Sequence, residues 1–222
     1  MQPLFFFISV FGSALFLEAK EKHNISIAIF DSPATHQHSQ KVIRLFEKQL
    51  KNCKTCEFKL FPIFKNSGEI SIEDFVNGLR EAKAQAKVIH ISWNLAYEPR
   101  FEPVIQELNL ITASGLPVVG ASGESQEKSM HNLSIDQTVL GKVNGIILVG
   151  ELDQKGKLSS RSFYGPSILA AFSGVRDFPG SSFTSVLVSS KIATGHSQNW
   201  YEHFKKVKKQ SSRSWPLLSE YF

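Results

Sequence analysis

Short, continuous apolar runs alternate with segments of helical spacing along most of the chain. Ile25 to Phe30 is apolar and rich in β-branched residues, and it stops at Asp31, Ser32 and Pro33, the pattern of a buried strand. From His38 to Lys51 the apolar positions Val42, Leu45, Phe46 and Leu50, with Gln49, share one side of a helix. Glu57 to Phe64 reads as a second strand. Ser71 followed by Asp74 is a helix-start signal of the capping-box type, with Asp in place of the usual Glu or Gln. Ile72, Phe75, Val76, Leu79 and Ala82 then form the stripe of the helix it opens. Val88 to Ser92 predicts a third strand, Glu102 to Ser114 a helix stopped by Gly115, Leu116 to Ala121 a fourth strand, and Gly145 to Val149 a fifth.

Strands that alternate with helices imply parallel crossovers, hence an α/β fold: a doubly wound, mostly parallel sheet with helices on both faces. Ligands in such sheets bind outside the carboxyl ends of the strands, where Asp31, Ser92 and Ser122 stand. At 222 residues and 42% hydrophobic composition, the chain is long enough for one substantial core, and one domain over residues 20–222 is expected.

Pro3 to Ala19 is an apolar run interrupted only by small residues, with its first charge at Glu18 and followed by Lys20, Glu21 and Lys22, and fits a secretory signal peptide over residues 1–19. A retained anchor is the alternative reading. Cleavage predicts a secreted or periplasmic protein with no stable membrane association. Cys53 and Cys56 form a CxxC pair, which in an exported protein closes a small disulfide. A redox dithiol is the alternative, but this pair follows a helix and precedes a strand, the reverse of the usual activating placement. No second ligand pair stands at zinc-binding spacing, and no metal is expected. The formal charge of +5 is modest, and the basic residues Lys205, Lys206, Lys208, Lys209 and Arg213 read as a solvated tail, so no nucleic-acid partner is expected.

Five local sequences narrow the chemistry. IAIFDSP (27–33), VIHISWN (88–94), GLPVVGASGES (115–125), ILVGELDQKGKLSSRSFYGP (147–166) and GSSFTSV (180–186) resemble, in order and approximate spacing, segments of the subtilisin-like serine proteases. The likeness runs from residue 27 to about 195. It implies Ser182 as nucleophile, at the start of a helix where a lone serine would otherwise be read as a cap. Asp31 takes the orienting role, since a serine hydroxyl is weak until a base held by a third group removes its proton. For the base, HSQKV (38–42) is the best match to the family's HGTHVAG, giving His38, with His36 as competitor. Seven residues separate Asp31 from His38, a shorter interval than in typical relatives, so a surface excursion is missing. The resemblance also implies a peptide lying between Ser92, Trp93, Asn94 and Leu95 on one side and Ser122 and Gly123 on the other.

The sequence departs from the family at two further places. Glu124 stands where an asparagine donates to the oxyanion, and loss of one such donor costs about 10²- to 10³-fold in turnover. A carboxylate there repels developing negative charge, whereas a protonated Glu could donate. Val186 replaces the proline of GTSMASP, a change expected to alter packing more than chemistry. Two functions remain open: a cofactor-independent endopeptidase acting on peptides or proteins, and a catalytically impaired relative that binds a peptide or partner in the same groove.

Overall fold

The computed structural model describes residues 25–65, 67–124, 133–153, 158–159, 162–165, 168–173 and 179–195. The expected signal peptide and basic tail lie outside these residues. Six strands, β1 (Ile25–Asp31), β2 (Phe58–Pro62), β3 (Ala86–Ile91), β4 (Val118–Ala121), β5 (Ile147–Leu152) and β6 (Ile168–Ser173), form one sheet in the order β2-β1-β3-β4-β5-β6. Every neighbouring pair runs parallel. The helices are α1 (Gln37–Leu50), α2 (Ile72–Gln85), α3 (Glu102–Ala113) and α4 (Ser181–Ala193).

Crossover handedness explains which face each helix covers. The chain moves one way from β1 to β2 and the other way from β2 past β1 to β3 and β4, so right-handed crossovers place α1 opposite α2 and α3. Strand alternation supplies an apolar face to each layer. Ile27, Ile29, Val88, Val119, Ile147 and Val149 pack with Val42, Leu45 and Phe46 of α1 and Phe183 and Val186 of α4. Ala28, Phe30, Ile89, Ile91 and Leu148 pack with Phe75 and Leu79 of α2 and Val104 and Leu108 of α3. Val186 is fully buried within a continuous helix, so the position that carries proline in the family resemblance is here a core contact.

Several boundaries differ from the sequence expectations for physical reasons. His36 caps α1, its Nδ1 accepting from His38 N at 3.4 Å, so the helix opens at Gln37. Gln49, counted on the apolar side, is exposed, its amide being better solvated than buried. Ser71 caps α2 by accepting from Asp74 N. Pro117 has no N–H for the ladder, and β4 begins after it. β5 starts two residues later than expected and runs three residues further, to Leu152, because Gly150, Glu151 and Leu152 pair with β6. β6 itself was not expected: its apolar run contains two alanines, weak strand formers, and its register shifts between Leu148 and Val149.

The strand order reverses between β1 and β3, the kind of place where such sheets bind ligands at the carboxyl ends. Asp31 ends β1, Ser92 follows β3, and the N-termini of α1 and α4 meet beside them.

Candidate active site

A short turn carries the chain from β1 into α1. His36 N donates to Pro33 O at 2.8 Å, and the buried Ser39 hydroxyl donates back to Ser32 O at 2.9 Å. That closure folds the seven-residue interval on itself and sets His38 Nδ1 3.1 Å from Asp31 Oδ1. Asp31 is 2% exposed and the His38 side chain 32%, so the pair presents an imidazole to solvent from a buried carboxylate. Burial pushes the Asp31 carboxyl up, but the hydrogen bond and charge of His38, the nearby Ser92 hydroxyl and the Ser32 N–H outweigh it and hold the group below its ordinary value. Asp31 Oδ2 is buried without a hydrogen-bond partner among the described residues. His36, by contrast, is exposed and committed to its cap.

Ser182 is the second residue of α4, and its neighbour Phe183 places a ring 5.4 Å from the His38 ring. The Ser182 hydroxyl donates its single proton to Ser92 O at 2.6 Å, so in this arrangement the proton is not shared with His38. The Ser182 N–H belongs to the first turn of α4, whose amides have no acceptor within the helix.

Two acidic side chains hold that helix end. Glu124 Oε1 accepts from Ser181 N at 2.7 Å, and Glu151 Oε1 accepts from Gly180 N at 2.8 Å. Gly180 has φ 126°, and a Cβ there would sit 3.1 Å from Glu124 Oε1, so glycine lets the carboxylate approach the helix end. Gly123 N donates to Ser181 Oγ at 3.2 Å, tying the end of β4 to α4 a second time. Glu124 thus stands beside the nucleophile position as a hydrogen-bond acceptor, and the donor role considered for a protonated form finds no counterpart in this contact.

The two flanking segments differ in what they offer. Trp93 is buried and packs against Phe64, Phe75 and Phe101, making it a core residue rather than a groove surface. Asn94 is also buried; its Nδ2 donates to Ser122 O and Thr138 Oγ1, both at 2.9 Å, and its Oδ1 accepts from Leu140 N at 3.0 Å. Leu95 is 38% exposed, and its carbonyl accepts from Val139 N at 2.9 Å. Ser122 is buried, donating from N to Val149 O at 2.8 Å. Gly123 has φ 89°, and a Cβ there would lie 2.7 Å from the Phe163 ring. Sequence reasoning missed Glu151 and Phe163, which stand inside the quoted 147–166 segment without a local pattern marking them.

Cys53 and Cys56 are joined in a disulfide between the end of α1 and the start of β2. Among the described residues, no helix is long and apolar enough to cross a membrane.

Comparison with known structures places the fold. A lanthipeptide protease superposes with a TM-score of 0.64 at 12% identity, over 85% of this chain and 79% of that one. The nisin leader peptidase NisP from Lactococcus lactis gives 0.58 at 16% identity, over 84% and 82%. The epidermin leader peptide processing serine protease EpiP from Staphylococcus aureus gives 0.57 at 14% identity, over 88% and 72%. No curated protein matches the chain at a significant level. The Subtilase family profile matches residues 53–212, a span that contains Ser182 and Glu124 and begins after Asp31 and His38. With well over half its length matched and a parallel sheet of the same architecture, the chain belongs to the Subtilase family, whose members are serine peptidases.

Proposed function

We propose that the protein is an exported serine endopeptidase that uses Ser182, His38 and Asp31. The observation that carries this reading is the 3.1 Å contact between His38 Nδ1 and Asp31 Oδ1 beside the N-terminus of the helix bearing Ser182. In the reaction, Ser182 turns from Ser92 O toward His38 Nε2. Its oxygen bonds the scissile carbonyl carbon as its proton passes to His38, and the carbonyl electron pair moves onto oxygen. The Ser182 N–H faces that oxyanion. Collapse breaks the C–N bond, with His38 returning the proton to the leaving amine, and water releases the acyl group by the same steps. Asp31, kept ionised by its partners, holds the imidazole tautomer and stabilises the imidazolium. The 92–95 segment gives backbone groups for an extended peptide, whereas the N–H groups of Ser122 and Gly123 are already bonded to Val149 O and Ser181 Oγ. The Cys53–Cys56 disulfide and the apolar leader support export.

A second reading, a peptide- or partner-binding relative without turnover, is favoured by the Glu124 carboxylate beside Ser181 N and by the proton of Ser182 resting on Ser92 O. Covalent labelling by an alkyl fluorophosphonate separates the two. Labelling of the mature protein that disappears in Ser182→Ala is expected. A folded protein that takes no label supports the binding reading instead.

A further inference from the structure

Resting on the peptidase reading, we propose that Asn94 fills the side pocket for the residue on the acyl side of the scissile bond, restricting that residue to glycine, alanine or serine. Ser182 Oγ contacts Ser92 O, so a carbonyl under attack lies against the 92–95 segment, and the 122–123 segment, tied to the same helix end through Gly123 N and Ser181 Oγ, lies on the other side. The space between these segments is where the side chain next to that carbonyl must go. It is already occupied. Asn94, only 4% exposed, crosses it and bonds both far walls: Ser122 O in the opposite segment, and Thr138 Oγ1 and Leu140 N at the back.

The surrounding contacts leave this side chain no second place. Thr138 is fully buried, donates to Ile135 O at 2.5 Å and accepts from Gly141 N at 3.1 Å, so its hydroxyl is fixed. Phe163, 2% exposed, packs on Gly123, and a Cβ on Gly123 would lie 3.0 Å from Asn94 Cβ. Expelling the Asn94 side chain would strip hydrogen bonds from the buried Leu140 N–H and Ser122 carbonyl and leave them unsatisfied. A large side chain gains too little from a pocket it must first empty in this way, whereas a hydrogen or methyl group needs no pocket. Asn94 is in this sense a specificity-determining residue, acting by occupying volume.

The test uses three probes on the mature protein: an alkyl fluorophosphonate, and diphenyl phosphonates of alanine and of phenylalanine. In the latter two, Ser182 Oγ bonds phosphorus while one phenoxide leaves and takes up the serine proton. Labelling by the fluorophosphonate, with the alanine phosphonate reacting roughly tenfold or more faster than the phenylalanine one, is expected. Asn94→Gly, and the milder Asn94→Ser, should narrow or reverse that ratio. Equal rates with the alanine and phenylalanine probes in the unmodified protein, alongside fluorophosphonate labelling, overturn the inference alone. No fluorophosphonate labelling of the folded protein overturns the peptidase reading and this inference together. The comparison on unmodified protein stands whether or not the glycine variant folds.

Discussion

Glu124 holds the first amide of α4 with one carboxylate oxygen at 2.7 Å, and in the proposed reaction its charge faces the oxygen that becomes negative. A negative group at a helix N-terminus stabilises by about 0.3–1 kcal/mol, while the same charge near an oxyanion raises the barrier. Glu124→Gln keeps an acceptor for Ser181 N and removes the charge. Its turnover at neutral pH should rise roughly tenfold, the effect of about 1.4 kcal/mol, while its melting temperature falls slightly. Peptide hydrolysis and thermal melts of both forms measure the two effects, and unchanged turnover in a folded variant would show that this charge does not act on the oxyanion. The type of residue at this place was legible from GASGES in register with its neighbours. Its use as an acceptor for Ser181 was not, since that contact joins residues 57 apart. His36 and His38, which the sequence left as competitors, differ in local geometry: one Nδ1 caps α1, the other reaches Asp31.

The unit formed by β1, its short turn and α1 presents Asp31 and His38 from adjacent elements, and its far end is stapled by Cys53–Cys56. Cys53 N donates to Leu50 O at 2.8 Å and Ser26 N to Glu57 O at 2.8 Å, so the same loop is also held by backbone bonds to α1 and β1. A disulfide spanning so few residues restricts the unfolded chain little; loop-closure arithmetic gives about 2 kcal/mol. Cys53→Ser combined with Cys56→Ser should therefore lower unfolding free energy by about that amount in urea titration, leaving any peptidase activity intact at ambient temperature. A loss of fold would mean that the staple, rather than the packing of Leu45 and Phe46, secures α1. At this scale the apolar runs foretold five strands and three of the four helices of the described residues, α4 being implied only by the resemblance at Ser182, because burial on both faces leaves a continuous signal in strands such as Ile27–Phe30. The ends were less legible: they depend on caps, on Pro117, and on the partner strand β6, none of which periodicity reports.

Across the whole molecule, the feature with the widest reach is His90, fully buried on β3, its Nδ1 2.9 Å from Ser189 Oγ of α4 and its ring edge-on to Phe46 of α1 at 4.9 Å. Burial pushes its imidazole down to about 3, with the charge of Asp31 opposing and that of His38 adding to the shift. The unfolded chain takes up a proton near pH 6.5, the folded one only near 3, so between these values the unfolded state binds more protons and stability falls as pH falls, by at most about 1.4 kcal/mol per pH unit. Asp31, held below its ordinary value, adds to the loss in the same direction once pH drops through the normal carboxylate range. Urea midpoints should decline from pH 7 to 4.5, and His90→Gln should flatten that decline; an equally steep slope in the variant would place the sensitivity elsewhere. The doubly wound architecture was legible from strand and helix alternation, whereas a polar residue inside VIHI gave no sign of linking three elements. The same central helix also orders events in time. α4 follows the six strands of the described residues yet packs on β1, β3, β4 and β5, and Ser182 meets Ser92 across 90 residues. Asp31 and His38 can pair early, being seven residues apart, but α4 docks beside them only after the sheet has closed, so in a nascent chain emerging N-terminus first Ser182 is not in place until synthesis has passed residue 193, and until then the apolar face of Ile29, Val119 and Val149 lies uncovered by α4.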